Sequence, residues 1–472
     1  MRRISMFFLI LILFLDTSNN AFAKVKLSSI LGDSMVLQQC GTVKLNGMSN
    51  PNTEIKITAS WDNKVVRTKS NINGQWQAEI KTLSAGGPYK ITFDDGDKLI
   101  LEDVYLGEVW LCSGQSNMAM PLKGKIGQPI LESNEVIANA VPDIPIRMFT
   151  VKPNPTIEKV DTVKGKWLVN SPQNVADFSA VAYFYGLRLY KTLGVPIGLI
   201  NTSWGGSNIE SWMPYDSLKQ DSSISFKHLK SNVIPKNPQH KASLLYNGMI
   251  YPLRNVSIKG IIWYQGESNV ARYYKYINQQ KAFVSHLRML FRDKSLPFYY
   301  VQIAPHGNKK NNNLPYMREA QMKSEFLIPN SGMAVILDSG EKDCIHPASK
   351  RVVGDRLAYL ALLNDYGMKG LSAYPPVYKK KEIKDNKIIL YFDRAEMGLT
   401  SFGKELNYFE IAGEDKVFYK AKARIEGSKV IVWSEEVQKP LEARYAFHNF
   451  VVGDLFGISG LPVSSFRTDL DN

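Results

Sequence analysis

Two short segments of this 472-residue chain combine residue types suited to acyl transfer. The first is Leu111-Cys112-Ser113-Gly114-Gln115-Ser116-Asn117-Met118. It follows a strand-like run directly, and Gly114 lets the backbone turn sharply so that Ser116 projects above a sheet edge. A serine hydroxyl is a weak nucleophile until a base takes its proton. The second segment, Asp343-Cys344-Ile345-His346-Pro347, also follows a strand-like run, and Pro347 suits the first position of a helix. His346 then stands at a helix mouth, facing a crevice. Asp343, three residues earlier, is placed to curl back to the other ring nitrogen, where a carboxylate fixes the tautomer and stabilises the imidazolium. Each segment taken singly has a plainer reading. Ser116 fits an ordinary polar loop, and Asp343 fits a helix cap beside a surface histidine.

Two further loops strengthen the chemical reading. Asn201-Thr202-Ser203-Trp204-Gly205-Gly206-Ser207-Asn208 and Trp263-Tyr264-Gln265-Gly266-Glu267-Ser268-Asn269 each follow a strand-like run. The backbone N–H groups of Gly205 and Gly206 and the amide of Gln265 are donors of the kind an oxyanion needs, one donor contributing about 3–4 kcal/mol. Four polar loops at strand ends of one sheet fit a single site better than four coincidences. Glu267 reads either as an orienting acid or as a buried structural one. His228, His240, His286, His306 and His448 follow neither triad nor metal spacing. Trp204, Trp212 and Trp263 fit a core or a sugar-stacking role, with core the default.

The elements that must position these loops fall into three parts. Residues 24–103 carry short Val-, Ile-, Leu- and Thr-rich runs, at 35–39, 42–45, 54–59, 64–68, 75–80 and 89–93, split by Asn-, Gly- and Pro-rich turns. That spacing predicts a small β-sandwich-like domain. Residues 104–370 alternate strands with helices: strands at 104–111, 196–201, 258–264, 297–303 and 333–337, helices at 178–193, 274–291, 316–326 and 347–363. This order predicts an α/β fold with a parallel sheet covered on both faces and ligands bound beyond its carboxyl edge. Residues 122–176 lack periodicity and read as an insertion or long loops. Residues 371–472 return to β signals and predict a C-terminal β-rich domain.

Bulk properties bound the cellular context. Arg2 and Arg3, the apolar run at 7–15 and Ala21-Phe22-Ala23 form a signal peptide pattern over residues 1–23, so the exported chain is expected to begin at Lys24, periplasmic or secreted. The apolar run is too short for a membrane span. The net charge of +14 becomes +13 once Arg2, Arg3 and Asp16 are removed, and its lysines are scattered. Scattered lysines in an exported chain argue against nucleic acid, whereas an acidic substrate and simple solubility fit the excess equally. Cys40, Cys112 and Cys344 match no zinc spacing and read as small buried hydrophobes.

Together these motifs resemble the sialate O-acetylesterase family within the SGNH (GDSL-like) hydrolase superfamily. The resemblance runs from Asp33-Ser34-Met35-Val36-Leu37-Gln38-Gln39, through Gly107 to Met118, Gly205-Gly206, Ile209-Glu210-Ser211-Trp212, Trp263 to Asn269 and Asp343 to Pro347, to the ending around Gly460-Leu461-Pro462. It implies a flavodoxin-like SGNH-hydrolase core with Ser116, His346 and Asp343 as the triad. Oxyanion donors would come from the Ser116 backbone, a glycine of Gly205-Gly206, and Gln265. The superfamily's usual Gly-x-Asn-Asp block is absent, and Gln265-Gly266-Glu267 stands in its place. Asn117, Glu267 and Asn247 are implied to line the pocket. The implied partner is an O-acetylated sugar, and the chemistry calls for no metal or organic cofactor. The triad handles the ester rather than the sugar, so an acetylxylan esterase is the alternative enzyme. A carbohydrate-binding protein with a decayed site is the non-catalytic one.

Overall fold

The computed structural model describes residues 25–231, 233–307 and 311–469. The expected signal peptide, residues 1–23, lies outside them. In Glu54–Ala59 and Gln75–Lys81 every second side chain is buried, the period of a strand with one wet face. The rings of Trp76 and Phe93 lie 5.7 Å apart. They join the sheet of Lys26–Leu27, Thr42–Met48 and Gln75–Lys81 to the face built from Glu54–Ala59, Val65–Lys69 and Gly86–Asp94.

A 17-residue strand, β1 (Lys98–Gly114), links this β-rich part to the rest. Its first half pairs antiparallel with Gly86–Asp94, and its second half enters a parallel sheet. The division expected between residues 103 and 104 falls inside it. Every residue from 106 to 114 is buried, because helices cover both faces there.

After β1 come α1 (Ser116–Ala119), β2 (Ile146–Thr150), α2 (Ala180–Leu193), β3 (Ile197–Ser203) and β4 (Gly260–Tyr264). Then follow α3 (Tyr273–Leu290), β5 (Phe298–Val301), α4 (Leu314–Leu327), β6 (Ser331–Ala334) and α5 (Lys350–Asn364). The spatial order is β2-β3-β1-β4-β5-β6, parallel throughout. Chain direction across the sheet reverses at β1, so the carboxyl ends of β1, β3 and β4 frame a crevice. Apolar side chains of α2 and α5 share one core with one face of the sheet, and those of α3 and α4 share another with the opposite face.

Two local expectations are corrected. The stretch read as long loops contains β2, which sequence patterning hid because a charged residue sits mid-strand. Arg147 is buried there, paired with Asp103 at 3.4 Å and lying over the Tyr105 ring. Helix α5 starts at Lys350, not at Pro347. Residues 341–349 are an irregular run of bends, with no helical turn among them. There Glu341 Oε1 accepts from the Ala348 N–H at 2.6 Å, and Asp343 does not cap the helix.

Residues from Val377 onward form β-sheets, two of them four-stranded. They grip α4 through Arg318, which is fully buried and donates to Ser465 Oγ and to the carbonyls of Ala446 and His448. Burial pushes its guanidinium down to about 9. Its neighbour Glu319 pairs with Lys323 and Arg467, while Arg318 bonds neutral oxygens. Cys112 alone of the three cysteines is buried; Cys40 is exposed and Cys344 half-buried. Among the described residues no helix is long and apolar enough to cross a membrane.

Candidate active site

The end of β1 explains how Ser116 reaches the crevice. Gly114 has φ +146°, and a Cβ there would lie 2.1 Å from the Tyr264 carbonyl oxygen, so only glycine fits. The Gln115 N–H donates to that same Tyr264 oxygen, closing the turn, and the single helical turn α1 begins at Ser116. Gln115 Oε1 accepts from the backbone N–H of Gly266 and Ser268, tying the β4 loop to the serine turn.

Ser116 and His346, 230 residues apart, meet here: Ser116 Oγ lies 2.8 Å from His346 Nε2. The other ring nitrogen, Nδ1, lies 3.1 Å from Gln128 Oε1. An amide oxygen only accepts, so Nδ1 carries the proton and Nε2 presents the lone pair that a general base needs. The expected Asp343–His346 contact is not formed. Asp343 is exposed, on the irregular loop before α5. Gln128 was missed because residues 122–176 show no periodic signal. It stands in a tight turn closed by reciprocal backbone bonds between Lys125 and Gln128.

The glycine loop after β3 lies against the serine. A Cβ on Gly205 would sit 3.5 Å from Ser116 Cβ, and Gly206 has φ +73°. Among the described residues neither Gly205 nor Gly206 has a protein acceptor for its N–H. Gln265 does not join them. Its Nε2 donates to the Ser207 carbonyl and to Asn269 Oδ1, and its Oε1 accepts from Tyr276. Both amide hydrogens are committed inside the fold, which corrects its assignment as an oxyanion donor. Asn247 is corrected likewise: its amide donates to the carbonyls of Thr156 and Ile157, anchoring that loop.

Asn117 and Glu267 lie behind the serine. Asn117 is fully buried; its Nδ2 donates to Glu267 Oε1 at 2.6 Å and to the Ile345 carbonyl at 3.1 Å. Burial raises the Glu267 carboxyl above its ordinary range. Asn117 thus spends its amide within the fold, while Glu267 is half-buried. Trp212 and Trp263 are buried and serve the core, with Trp204 partly buried against it.

Burial, with the neighbouring Lys350, Lys125 and His306 adding to it, pushes the His346 imidazole down to about 4. It is thus neutral across ordinary pH, the form able to take the Ser116 proton.

A hydroxyl beside a neutral imidazole, at the carboxyl edge of a parallel sheet, is the arrangement of an esterase that works through protein groups. Comparison with known proteins places the chain in that class. Residues 106–362, more than half of the chain, match the family "Carbohydrate esterase, sialic acid-specific acetylesterase", and the chain belongs to it. A carbohydrate acetylesterase from Xanthomonas citri is 35% identical and superposes with a TM-score of 0.86, covering 95% of this chain and 100% of that one. The sialate O-acetylesterase of Homo sapiens is 29% identical over 420 residues, 81% of this chain and 79% of its own. That of Mus musculus is 28% identical over 443 residues, 80% of each.

Proposed function

We propose that this chain is an exported esterase that removes O-acetyl groups from sialic acids through an acyl-enzyme on Ser116. The observation that carries the mechanism is the 2.8 Å contact between Ser116 Oγ and a His346 whose other nitrogen is held as N–H. His346 Nε2 takes the hydroxyl proton while Oγ attacks the acetyl carbon. The oxyanion rests on the backbone N–H groups of Ser116 and of the Gly205-Gly206 loop. The intermediate collapses, His346 passes the proton to the departing sugar oxygen, and acetyl-Ser116 remains. Water, deprotonated by His346, attacks that ester, and acetate leaves with Ser116 restored. Asp343 is proposed to close on His346 when the imidazolium forms, completing a triad on a flavodoxin-like SGNH core. The central strand order, with β2 set aside as an added edge, supports that core.

The family supports a sialate substrate, and so does the charge around the base. Lys125 stands near His346 and favours a sugar that bears a carboxylate. The test compares acetate release from O-acetylated N-acetylneuraminic acid and from acetylated xylan. A higher kcat/KM on the sialic acid is expected. The reverse order would move the assignment to a xylan esterase, and binding without acetate release would leave a sugar-binding protein.

Export is tested separately. The mature protein is expected outside the cytoplasm with Lys24 as its first residue. Intact mass showing Met1 retained on a cytoplasmic protein would refute the signal peptide.

A further inference from the structure

Behind the site lies a fully buried cation that the mechanism does not use. Lys350, the first residue of α5, has no exposed surface. Its Nζ donates to Asn117 Oδ1 at 2.5 Å and lies 5.7 Å from the centre of the Tyr264 ring. A buried ammonium is costly unless hydrogen-bonded and paired, so its place behind the site needs a reason.

That reason lies in the amide it touches. Asn117 is the residue after the nucleophile. Its oxygen accepts a hydrogen bond from Lys350, one amide hydrogen goes to Glu267 and the other to the carbonyl of Ile345, just before His346. With an ammonium at the oxygen and a carboxylate at the nitrogen, the amide cannot flip without setting like partners against each other. One side chain therefore ties together the Ser116 turn, the β4 loop and the His346 loop. Resting on the Ser116–His346 reading above, we propose that Lys350 is a positioning residue. It holds the Asn117 amide in the one orientation that pins the His346 loop to the Ser116 turn, and it sets a positive charge behind the imidazole.

Other charges face these groups. Around Lys350 stand Glu267 after β4, and Glu341 and Cys344 on the loop before α5. Around His346 stand Lys350, Lys125 on the Gln128 turn and His306 after β5. Burial pushes the Lys350 ammonium down to about 7, with Glu267 opposing that fall. Of the charges facing His346, Lys350 contributes most to holding its imidazole neutral, after burial itself.

Two variants separate the parts of the proposal. Lys350→Met removes the donor and the charge at similar length; Lys350→Gln keeps an N–H donor without the charge. Each is assayed with p-nitrophenyl acetate, the p-nitrophenol burst counting working sites, and kcat/KM per site is followed against pH. For Lys350→Met we expect a loss of about 10- to 100-fold per counted site, the scale on which supporting residues act. We also expect its acid limb to move to higher pH, since removing a positive neighbour raises the imidazole pKa. Lys350→Gln is expected to regain part of the rate and keep the displaced limb. Wild-type rate per site with an unmoved limb in Lys350→Met would overturn the proposal, as would a loss accounted for wholly by fewer working sites. If Lys350→Met does not fold, Lys350→Gln decides: an unmoved limb with wild-type rate overturns it. Failure of a fluorophosphonate to inactivate the wild-type protein and label Ser116 is a different result, and sinks the acyl-enzyme reading itself.

Discussion

Ser116→Ala is expected to fold with an unchanged Tm and to lose nearly all esterase activity, on the order of five to six decades in kcat, as when a nucleophile acting in concert with its base is removed. The fold should survive because the Ser116 hydroxyl makes one hydrogen bond, to His346, and its loss costs about 1 kcal/mol. The chemistry should not survive, because no neighbouring hydroxyl can replace it. Ser113 is buried within β1, and Ser207 is fully buried and accepts from the Trp212 indole. The burst of p-nitrophenol from an aryl acetate, read beside a melting curve, checks both halves. Retained turnover in the purified variant would remove Ser116 from the mechanism.

His346→Ala should be equally inactive, and the base leaves a further mark in the pH profile. The imidazole is held down to about 4, so kcat/KM should stay level as pH falls from neutrality and drop only as His346 becomes charged. Asp343 bears on the rate rather than on this limb. At rest Nδ1 faces Gln128, whose amide offers a dipole but no charge. The imidazolium of the transition state gains more from a carboxylate, so Asp343→Asn should lose much of the rate with an unchanged Tm. Because Asp343 does not touch the resting imidazole, the acid limb of kcat/KM in Asp343→Asn should stay where it is in the wild type. Wild-type kcat/KM in Asp343→Asn, with a loss in Gln128→Ala, would instead give the orienting role to Gln128.

Read alone, the sequence determined whatever depends on neighbours along the chain. The alternation of strand and helix from residue 104 to 370 marked a parallel sheet, and the structure builds one. Gly114 before Gln115-Ser116 marked a sharp turn, and its φ of +146° meets that need. The family motifs pointed to a carbohydrate esterase, as the comparisons show. Periodicity, turn chemistry and motif spacing are local properties, and each residue's type constrains them directly.

Only the tertiary structure decided which side chains meet. Gln128 reaches His346 from a segment with no periodic signal, across 218 positions. Lys350 finds Asn117 across 233. Gln265 and Asn247 are polar residues beside the right motifs, yet their amides are turned inward to satisfy buried carbonyls and polar side chains. The physical reason is the same in all four. A buried polar group must find a partner wherever packing brings one, and that partner is chosen by three-dimensional proximity, on which sequence spacing is silent.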